Sequence, residues 1–492
     1  MAAPTSVSNA PGGSAYCRFS APTFDDLAAL LMSRSPDQEW ASFLRFGWRE
    51  VGDGLVLTLQ ALDSPGDGDL DHRVGHVAIQ EQYTLRIALA AEKHPFAVGV
   101  IHSHPLDCAP LPSPIDDEMD GYYAPYFEGF TKSRPYVSLI LSQLDGELVM
   151  SGRVYWNGRW LSVERFACDG VPIARYSRSM SPPAIPVRLG RLEGSFGIDA
   201  ARRLRGARVA VIGAGGTGSI AIEVLARAAV GELIIVDPDR VTETNLERLH
   251  GGLATDAEHG LKKVEVARRH IRSIDPEIKV TTCFGALPQR DVVDVVVTAD
   301  IVIGCTDQQH SRLALSELGY RYLVPCIDCG VALEGEDGTI TGQTIQLVSF
   351  GPDRACALCR KMVTSNRIAM ELMSEEERQA RIVAAQRAAE QGLDPRGYWT
   401  GLPQLNTVGY LTAMAGAMAA GCAIGVIAGR FSAPLDRAQY NLFLAEPEAL
   451  GWQESPRTDC ACQRLKGYGG LAAAEVLITS PAHWPAPIIK HE

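Results

Sequence analysis

The run RVAVIGAGGTGSIAIEVLARAAV, residues 208–230, constrains the fold more than any other segment. RVAVI reads as a short buried strand, GAGGTGS as a glycine turn, and IAIEVLARA as a helix by its apolar spacing. Strand, glycine turn and helix in that order open a βαβ unit. ELIIVDPDRV supplies the next strand, HGLKKVEVARRHIRSID a helix and ADIVIGCTD a further strand. This alternation predicts a doubly wound α/β sheet from about residue 188. Gly213, Gly215, Gly216 and Gly218 allow a tight turn and close phosphate approach, with the helix N-terminus facing the anion. Asp237 ends the next strand, nineteen residues beyond Gly218, where it would hold a ribose hydroxyl. Read alone, the glycines serve NAD and ATP equally.

A chain of 492 residues is too long for one core, so two or three domains are expected. Before residue 168 the pattern is different. Residues 22–34 have helical spacing with Thr23 as cap, and 39–62, 82–102 and 136–167 hold β-rich apolar runs, the last with an Asn157–Gly158 turn. Residues 168–187, with SMSPPAIP, read as a linker. The first nineteen residues read as a disordered tail rather than a signal peptide, and two close cysteine pairs suit a reducing cytosol, so a cytoplasmic location is expected. The net charge of −12 argues against a nucleic-acid binder. Tyr410–Gly429 is uncharged over twenty residues but rich in Ala and Gly. It reads as a small-residue helix buried in the core or at a subunit contact, with no membrane partner.

IHSHPLDCAPLPSPIDD, residues 101–117, carries a separate chemistry. His102 and His104, two apart on an extended segment, point to the same side and can share one ion. Asp116 adds a hard third ligand and leaves a fourth position open, the mark of a catalytic zinc site. The pattern His-x-His, then Ser113-x-x-Asp116, resembles the JAMM (MPN-plus) metallopeptidases over about residues 20–165. Eight residues between His104 and Ser113 are one more than that family's usual spacing. The resemblance implies an α+β domain over 20–167 with a cytidine-deaminase-like β-sheet and helices. It implies cleavage of isopeptide or peptide bonds after the terminal glycine of a ubiquitin-like protein. Glu39, in EWASFLRFGW, would relay protons, with Glu50 the second choice. Ser113 would donate to the oxyanion. Cys108, in the same loop, reads as a bland loop position.

DPDRVTETNLERL and GLKKVEVA resemble the ThiF/MoeB/ubiquitin-activating superfamily over 188–470. Asp237, Asp239, Val241, Asn245, Leu246 and Arg248 match its motif one by one, and Lys263 falls three residues after Gly260. Asp307, in GCTDQQHSR, matches its acidic residue near magnesium. Arg191, in RLGRLEG, falls where the family places an arginine that reaches a partner subunit's nucleotide. The resemblance implies MgATP, a homodimer through this domain, and adenylation of the terminal glycine of a small ubiquitin-like or sulfur-carrier protein. The chemistry suits these types: adenylation needs positioning and cations on the phosphates, and little from a base.

Cys356–Cys359 and Cys460–Cys462 are two thiol pairs that fit a tetrahedral structural zinc, and the family often carries one here. The second pair, Cys-x-Cys, departs from the usual spacing, so free buried thiols remain the alternative. Residues 360–421 contain no Cys, where activating enzymes usually hold a nucleophile. RKMVTSNRIAMELMSEEERQARIVAAQRAAEQG reads there as a charged amphipathic helix. Cys422 reads as inert, and Cys326 and Cys329 as ending a strand, with Cys329 the weak choice of nucleophile. Either the enzyme stops at the acyl-adenylate or a partner, such as a conjugating enzyme, supplies the thiol. The whole reads as a hydrolase fused to an activating domain, with residues 471–492 as an extension. Such fusions resemble bacterial modification systems, including those tied to antiviral defence. Sulfur-carrier activation for cofactor biosynthesis is the alternative, and a non-enzymatic scaffold the third reading.

Overall fold

The computed structural model describes residues 13–35, 38–73, 76–105, 107–176, 185–336, 339–394, 407–430, 436–442 and 448–492. The chain forms two units. One comprises residues to Ala184 with Tyr320–Val324 and Ala461–Glu475; the other comprises Ile185–Gly319, Pro325–Cys460 and Val476–Glu492.

The first unit is a β-sheet closed on itself. Its strands are β1 (Ser14–Phe19), β2 (Ala41–Val51), β3 (Gly54–Asp63), β6 (Ala97–Ser103), β7 (Tyr136–Leu144), β8 (Glu147–Trp156), β9 (Arg159–Cys168) and β10 (Val171–Arg175), with β4 (Leu70–Arg73) and β5 (His76–Ile79) as a separate ribbon. The barrel order is β1-β3-β2-β6-β7-β8-β10-β9, and β1 pairs in parallel with both β3 and β9. Closure leaves no unpaired edge in the barrel.

Two expectations fail at β1 and β10. The tail expected over 1–19 gives way to a strand at Ser14, where Ala15, Cys17 and Phe19 alternate into the core. Residues 1–12 lie outside the described residues. The linker expected from 168 gives way to Val171–Arg175, antiparallel to β9 and parallel to β8; 177–184 lie outside the description. The first helix is Ala21–Met32, entered through Ser20, so Thr23 sits in its first turn. The run 82–102 divides into a helix, Glu81–Ala91, and β6.

Period two divides β6 between two cores. Ala97 and Ile101 face the barrel interior with the helix Ala21–Met32, while Val98 and Val100 face a second cluster built from the helices Glu81–Ala91 and Pro114–Thr131. His102 continues the second face. The barrel also binds the segment 461–475: Thr58 donates to the Gly467 carbonyl at 2.7 Å, Trp48 bridges to Gly469, and Arg321 donates to the Gly469 and Leu471 carbonyls. The 188–470 boundary is corrected accordingly.

The second unit carries a nine-stranded sheet of β11 (Arg208–Ile212), β12 (Glu232–Val236), β13 (Lys279–Phe284), β14 (Ile301–Gly304), β15 (Cys326–Glu336), β16 (Thr339–Phe350), β17 (Arg437–Asn441), β18 (Glu448–Trp452) and β19 (Ile488–His491). Its order is β18-β17-β16-β15-β14-β11-β12-β13-β19. β11 to β15 are parallel where they pair, and their apolar residues are buried on both faces, as a sheet covered by helices requires. The doubly wound expectation holds. The expected extension 471–492 instead ends in β19, antiparallel to β13. The long charged helix is two helices, Ser365–Glu371 and Glu375–Glu390, because Ser374 and Glu377 form a capping box. Cys326 and Cys329 open β15 rather than end a strand.

The helix Gly409–Ile427 is long and apolar enough to cross a membrane. Its buried face is made of small residues, among them Ala415, Gly416, Ala419, Ala420 and Ala423. A Cβ on Gly416 would lie 2.2 Å from the Thr217 carbonyl oxygen in the helix Gly216–Arg227. Gly416→Val is therefore expected to destabilise the second unit by about 2–3 kcal/mol, read by urea unfolding. It should also disturb the glycine turn, where Thr217 sits.

Candidate functional sites

The first candidate site sits where β6 meets the helix Pro114–Thr131. Ser113 caps that helix: its hydroxyl accepts from Asp116 N–H at 3.3 Å, and its own N–H donates to Asp116 Oδ2 at 2.6 Å. This capping box fixes the Asp116 carboxylate at the helix start. Asp116 Oδ1 lies 3.2 Å from His102 Nε2, and Oδ2 lies 4.0 Å from His104 Nε2. One ligand atom from each of the three residues falls within 4.8 Å of the others. His104 Nδ1 lies 3.1 Å from the Ala109 carbonyl. As the donor there, it leaves Nε2 with a lone pair turned to the cluster, the arrangement seen in ligating histidines. Burial, the largest influence on His102, holds it well below its ordinary value, so its imidazole is neutral at pH 7. Two imidazoles and a carboxylate form a donor set that fits zinc.

Register chooses between the two glutamates. Ala41 pairs with His102 across β2 and β6, and Glu39 lies two residues before Ala41. Glu50 pairs with Leu55 at the other end of β2. Burial, and then the Asp116 charge, push the Glu39 carboxyl up to about 7, while the Val77 N–H opposes them. Cys108 is exposed and is not in the ligand group.

The second candidate site is a cavity of about 610 Å³ at the carboxyl ends of β11 and β14, where the strand order reverses. Gly213 has φ +95°, and a Cβ on Gly218 would stand 1.8 Å from the Gly213 carbonyl, so both positions require glycine. Nothing lies within 4 Å of a Cβ built on Gly215, which leaves its backbone open to a ligand. Gly216, Asp239, Arg248 and Lys263 line the same space with Asp307. Lys263 is only 9 % exposed, and its Nζ lies 2.7 Å from Asp239 Oδ2. It is not the solvated lysine that its charged helix suggests. The Arg248 guanidinium donates to the Thr244 carbonyl at 3.1 Å.

Asp237 lies in the cavity wall, but both its oxygens already accept backbone N–H groups, from Ala214 at 2.7 Å and Asp239 at 2.8 Å. Its first role is to pin the glycine turn to β12. Burial pushes it up to about 6; Lys263 opposes this and Asp239 adds to it. The group is ionised at pH 7.5 and protonated at pH 5, when one oxygen no longer accepts. The affinity of the cavity for a ligand held by the glycine turn should therefore fall as pH drops through about 6. Stability moves the other way: against an unfolded value of 3.8, the raised group costs stability above pH 6, and that cost vanishes between pH 6 and 3.8. Calorimetric titration of a cavity ligand against pH should show the step, and Asp237→Asn should flatten it.

Two expected residues lie apart. Asn245 caps a short turn, its Oδ1 accepting from Thr242 N–H at 3.2 Å, and lines a smaller neighbouring cavity with Asp239 and Lys263. Arg191 is exposed on the helix Gly190–Phe196, away from the large cavity's lining. The structure adds residues the motifs did not mark. Arg312 lines the cavity and its Nε is 2.6 Å from buried Asp328. Thr306 and Ser311, also in the lining, each have a buried hydroxyl without a hydrogen-bond partner. Arg312 follows Asp307 by five residues in the same helix-entry run, a spacing that could have flagged it. Unsatisfied hydroxyls in a polar cavity fit a polyanionic ligand with hydroxyls of its own.

Cys356, Cys359, Cys460 and Cys462 bring their sulfurs within 4.8 Å of one another, with Cys356 and Cys460 3.6 Å apart. Zinc–thiolate bonds of about 2.3 Å in a tetrahedron place sulfurs about 3.8 Å apart. The Cys359 sulfur accepts the Arg457 N–H at 3.4 Å, a bond suited to a thiolate. Cys329 lines the large cavity, but burial pushes its thiol up and its S–H donates to the Ala415 carbonyl at 3.4 Å. It is a poor nucleophile.

Residues 189–462 match the model of the ThiF family. Similar curated proteins include the SAMP-activating enzyme E1 of Haloferax volcanii, 30% identical over 190 residues, 38% of this chain and 63% of that protein. The molybdopterin-synthase adenylyltransferase of Escherichia coli is 35% identical over 151 residues, 31% of this chain and 59% of that protein. Ubiquitin-like modifier-activating enzyme 5 of Drosophila willistoni is 30% identical over 169 residues, 32% of this chain and 39% of that protein. The chain thus spans less than two thirds of the length of these relatives. Among solved structures, E. coli MccB with succinimide aligns at a TM-score of 0.43 and 19% identity, over 56% of this chain and 73% of that one, too loosely to bear on the fold.

Proposed function

Because this chain belongs to the ThiF family, we propose that it adenylates the C-terminal glycine carboxylate of a small ubiquitin-like or sulfur-carrier protein with MgATP. The observation that carries this reading is the convergence of the open glycine turn, buried Lys263, Arg248 and Asp307 in one cavity. Lys263 and Arg248 would neutralise the phosphates as the carboxylate attacks and pyrophosphate leaves. Asp307 would hold magnesium. Arg191, free of the chain's own cavity, would serve a second copy in a homodimer. The buried, protonated state of Cys329 supports an acceptor outside this chain: the thiol of a conjugating enzyme or a sulfur donor.

We further propose that the first unit is a zinc (iso)peptidase acting on the same tail. His102, His104 and Asp116 would hold the ion, which supplies Lewis-acid activation of water. Glu39, poised near neutrality, would take and return the proton. The Ser113 hydroxyl accepts from Asp116 and keeps its own proton free to donate to the oxyanion. The four cysteines would hold a structural zinc.

Calorimetry tests the first reading. MgATP is expected to bind wild type and to fail with Asp307→Ala, while NAD fails with both. Binding of NAD in place of MgATP would end it.

A further inference from the structure

Glu371 ends the helix Ser365–Glu371, yet its carboxylate serves a different helix. The side chain is 1 % exposed; its Oε2 accepts the His310 N–H at 2.9 Å and lies 3.0 Å from His310 Nδ1. The Gln309 N–H donates to the same carboxylate. Gln309 and His310 open the helix Gln309–Tyr322, where the Arg312 N–H donates to the Gln308 carbonyl. The N–H groups ahead of Arg312 have no partner inside the helix. A carboxylate 61 residues away in sequence takes the place of a local cap, and it brings a full negative charge to the positive end of the helix.

The contact runs both ways. Gln309 Oε1 accepts the Thr364 N–H at 2.8 Å, and Thr364 caps the helix Ser365–Glu371. Arg367, one turn before Glu371, donates from Nε to its Oε1 at 2.8 Å. Burial by itself would raise the Glu371 carboxyl; the bonds from His310, Gln309 and Arg367 outweigh it and hold the group down to about 2. His310 is buried, with Trp484 edge-on to its ring at 5.4 Å.

The capped end belongs to the large cavity. Asp307, Gln308, Ser311 and Arg312 all line it. Asp307 is exposed and forms no hydrogen bond or ion pair with a described residue, so its place is set by the backbone that enters the helix two residues later. The charges are linked as well. Asp328 first, with Glu371 and Asp307 adding, holds the Arg312 guanidinium above its ordinary value against burial.

We propose that Glu371 is a positioning residue for Asp307: by capping the helix from the segment that follows Cys356–Cys359, it fixes the entry that presents Asp307 and so sets how strongly the cavity holds magnesium with the nucleotide. The inference rests on the adenylation reading above. Glu371 is not in the cavity lining and touches no reacting atom. With the cap weakened, the entry samples other conformations and Asp307 spends less time where it can hold the metal. The loss falls on magnesium, since the glycine turn, Arg248 and Lys263 stand on other elements.

The test is calorimetry of α,β-methylene-ATP on the full chain, once with excess Mg2+ and once with EDTA. The ratio of the two dissociation constants reads the contribution of the metal. Glu371→Gln keeps the shape and one accepting oxygen but loses the charge and the bond from Arg367. On the scale of one weakened cap, the ratio should shrink roughly three- to tenfold with affinity in EDTA unchanged. Arg367→Ala should shrink it less, in the same direction, and carries the test if Glu371→Gln does not fold. A cap with a structural role alone would lower Tm and leave the ratio at its wild-type size, and that result overturns the proposal. Equal losses with and without magnesium would do the same. A wild type that binds the analogue in neither condition would instead remove the adenylation reading, and a wild-type ratio of one would remove the magnesium role of Asp307 and this inference with it.

Discussion

Lys263→Ala is expected to lower kcat/KM for ATP–pyrophosphate exchange by about 10²–10³-fold, the usual loss when a preorganised charge aimed at developing negative charge is removed. The effect should be large because the ammonium is almost out of solvent, where its field on a phosphate is weakly screened. Stability should hardly change. The Asp239 partner is 61 % exposed, so the ion pair itself contributes no more than about 1 kcal/mol. Lys263→Arg should recover little, since a planar guanidinium fork does not reproduce the compact point charge of an ammonium. Asp307→Ala should remove exchange through loss of magnesium. Stopped-assay exchange with parallel urea unfolding separates catalysis from folding. Near-wild-type exchange in Lys263→Ala would place the phosphates elsewhere in the cavity.

The second large effect is expected at the other unit. His104→Ala should cut hydrolysis of a Gly-Gly-aminocoumarin amide by at least about 100-fold, since even outer-sphere partners of a metal account for losses of that size. Metal analysis gives an independent reading. Two donor groups predict two zinc equivalents per chain, falling to one in His104→Ala and to one in Cys460→Ser. The two losses should differ in kind. Cys460→Ser removes a ligand of a buried structural group and should lower Tm, whereas His104→Ala should leave Tm and ATP–pyrophosphate exchange near wild type. Retention of both equivalents in His104→Ala, or simultaneous loss of exchange without unfolding, would defeat the two-site reading.

Much of each site was legible because its parts are local. Ser113 and Asp116 are three residues apart, and a capping box forms from that spacing alone. His102 and His104 share a side because strands alternate. The glycine turn follows from one strand and one helix in sequence. Lys263 was legible only as a motif position. Its charged helix, KVEVARRHIRS, gives no sign that this lysine turns inward to Asp239 while the helix's other charged residues keep contact with solvent. The tail reading failed for another reason. SAYCRF has period two in small and polar residues, a weak signal until β3 and β9 are present on either side to pair with it.

By itself, the sequence determined the identities that chemistry requires: two imidazoles and a carboxylate, a glycine turn before a helix, four thiols in two pairs, and the strand–helix alternation of the second unit. Periodicity, capping and turn preference act over a few residues, so one strand of text suffices to read them. The tertiary structure alone decided which glutamate lies near His102, that the sheet closes through β1 and β10, that β19 joins the far edge, and that Arg312 pairs with Asp328 in the wall of the large cavity. Each of these depends on the register of segments distant in the chain. Register is set by which faces are buried together, a property that no single segment carries.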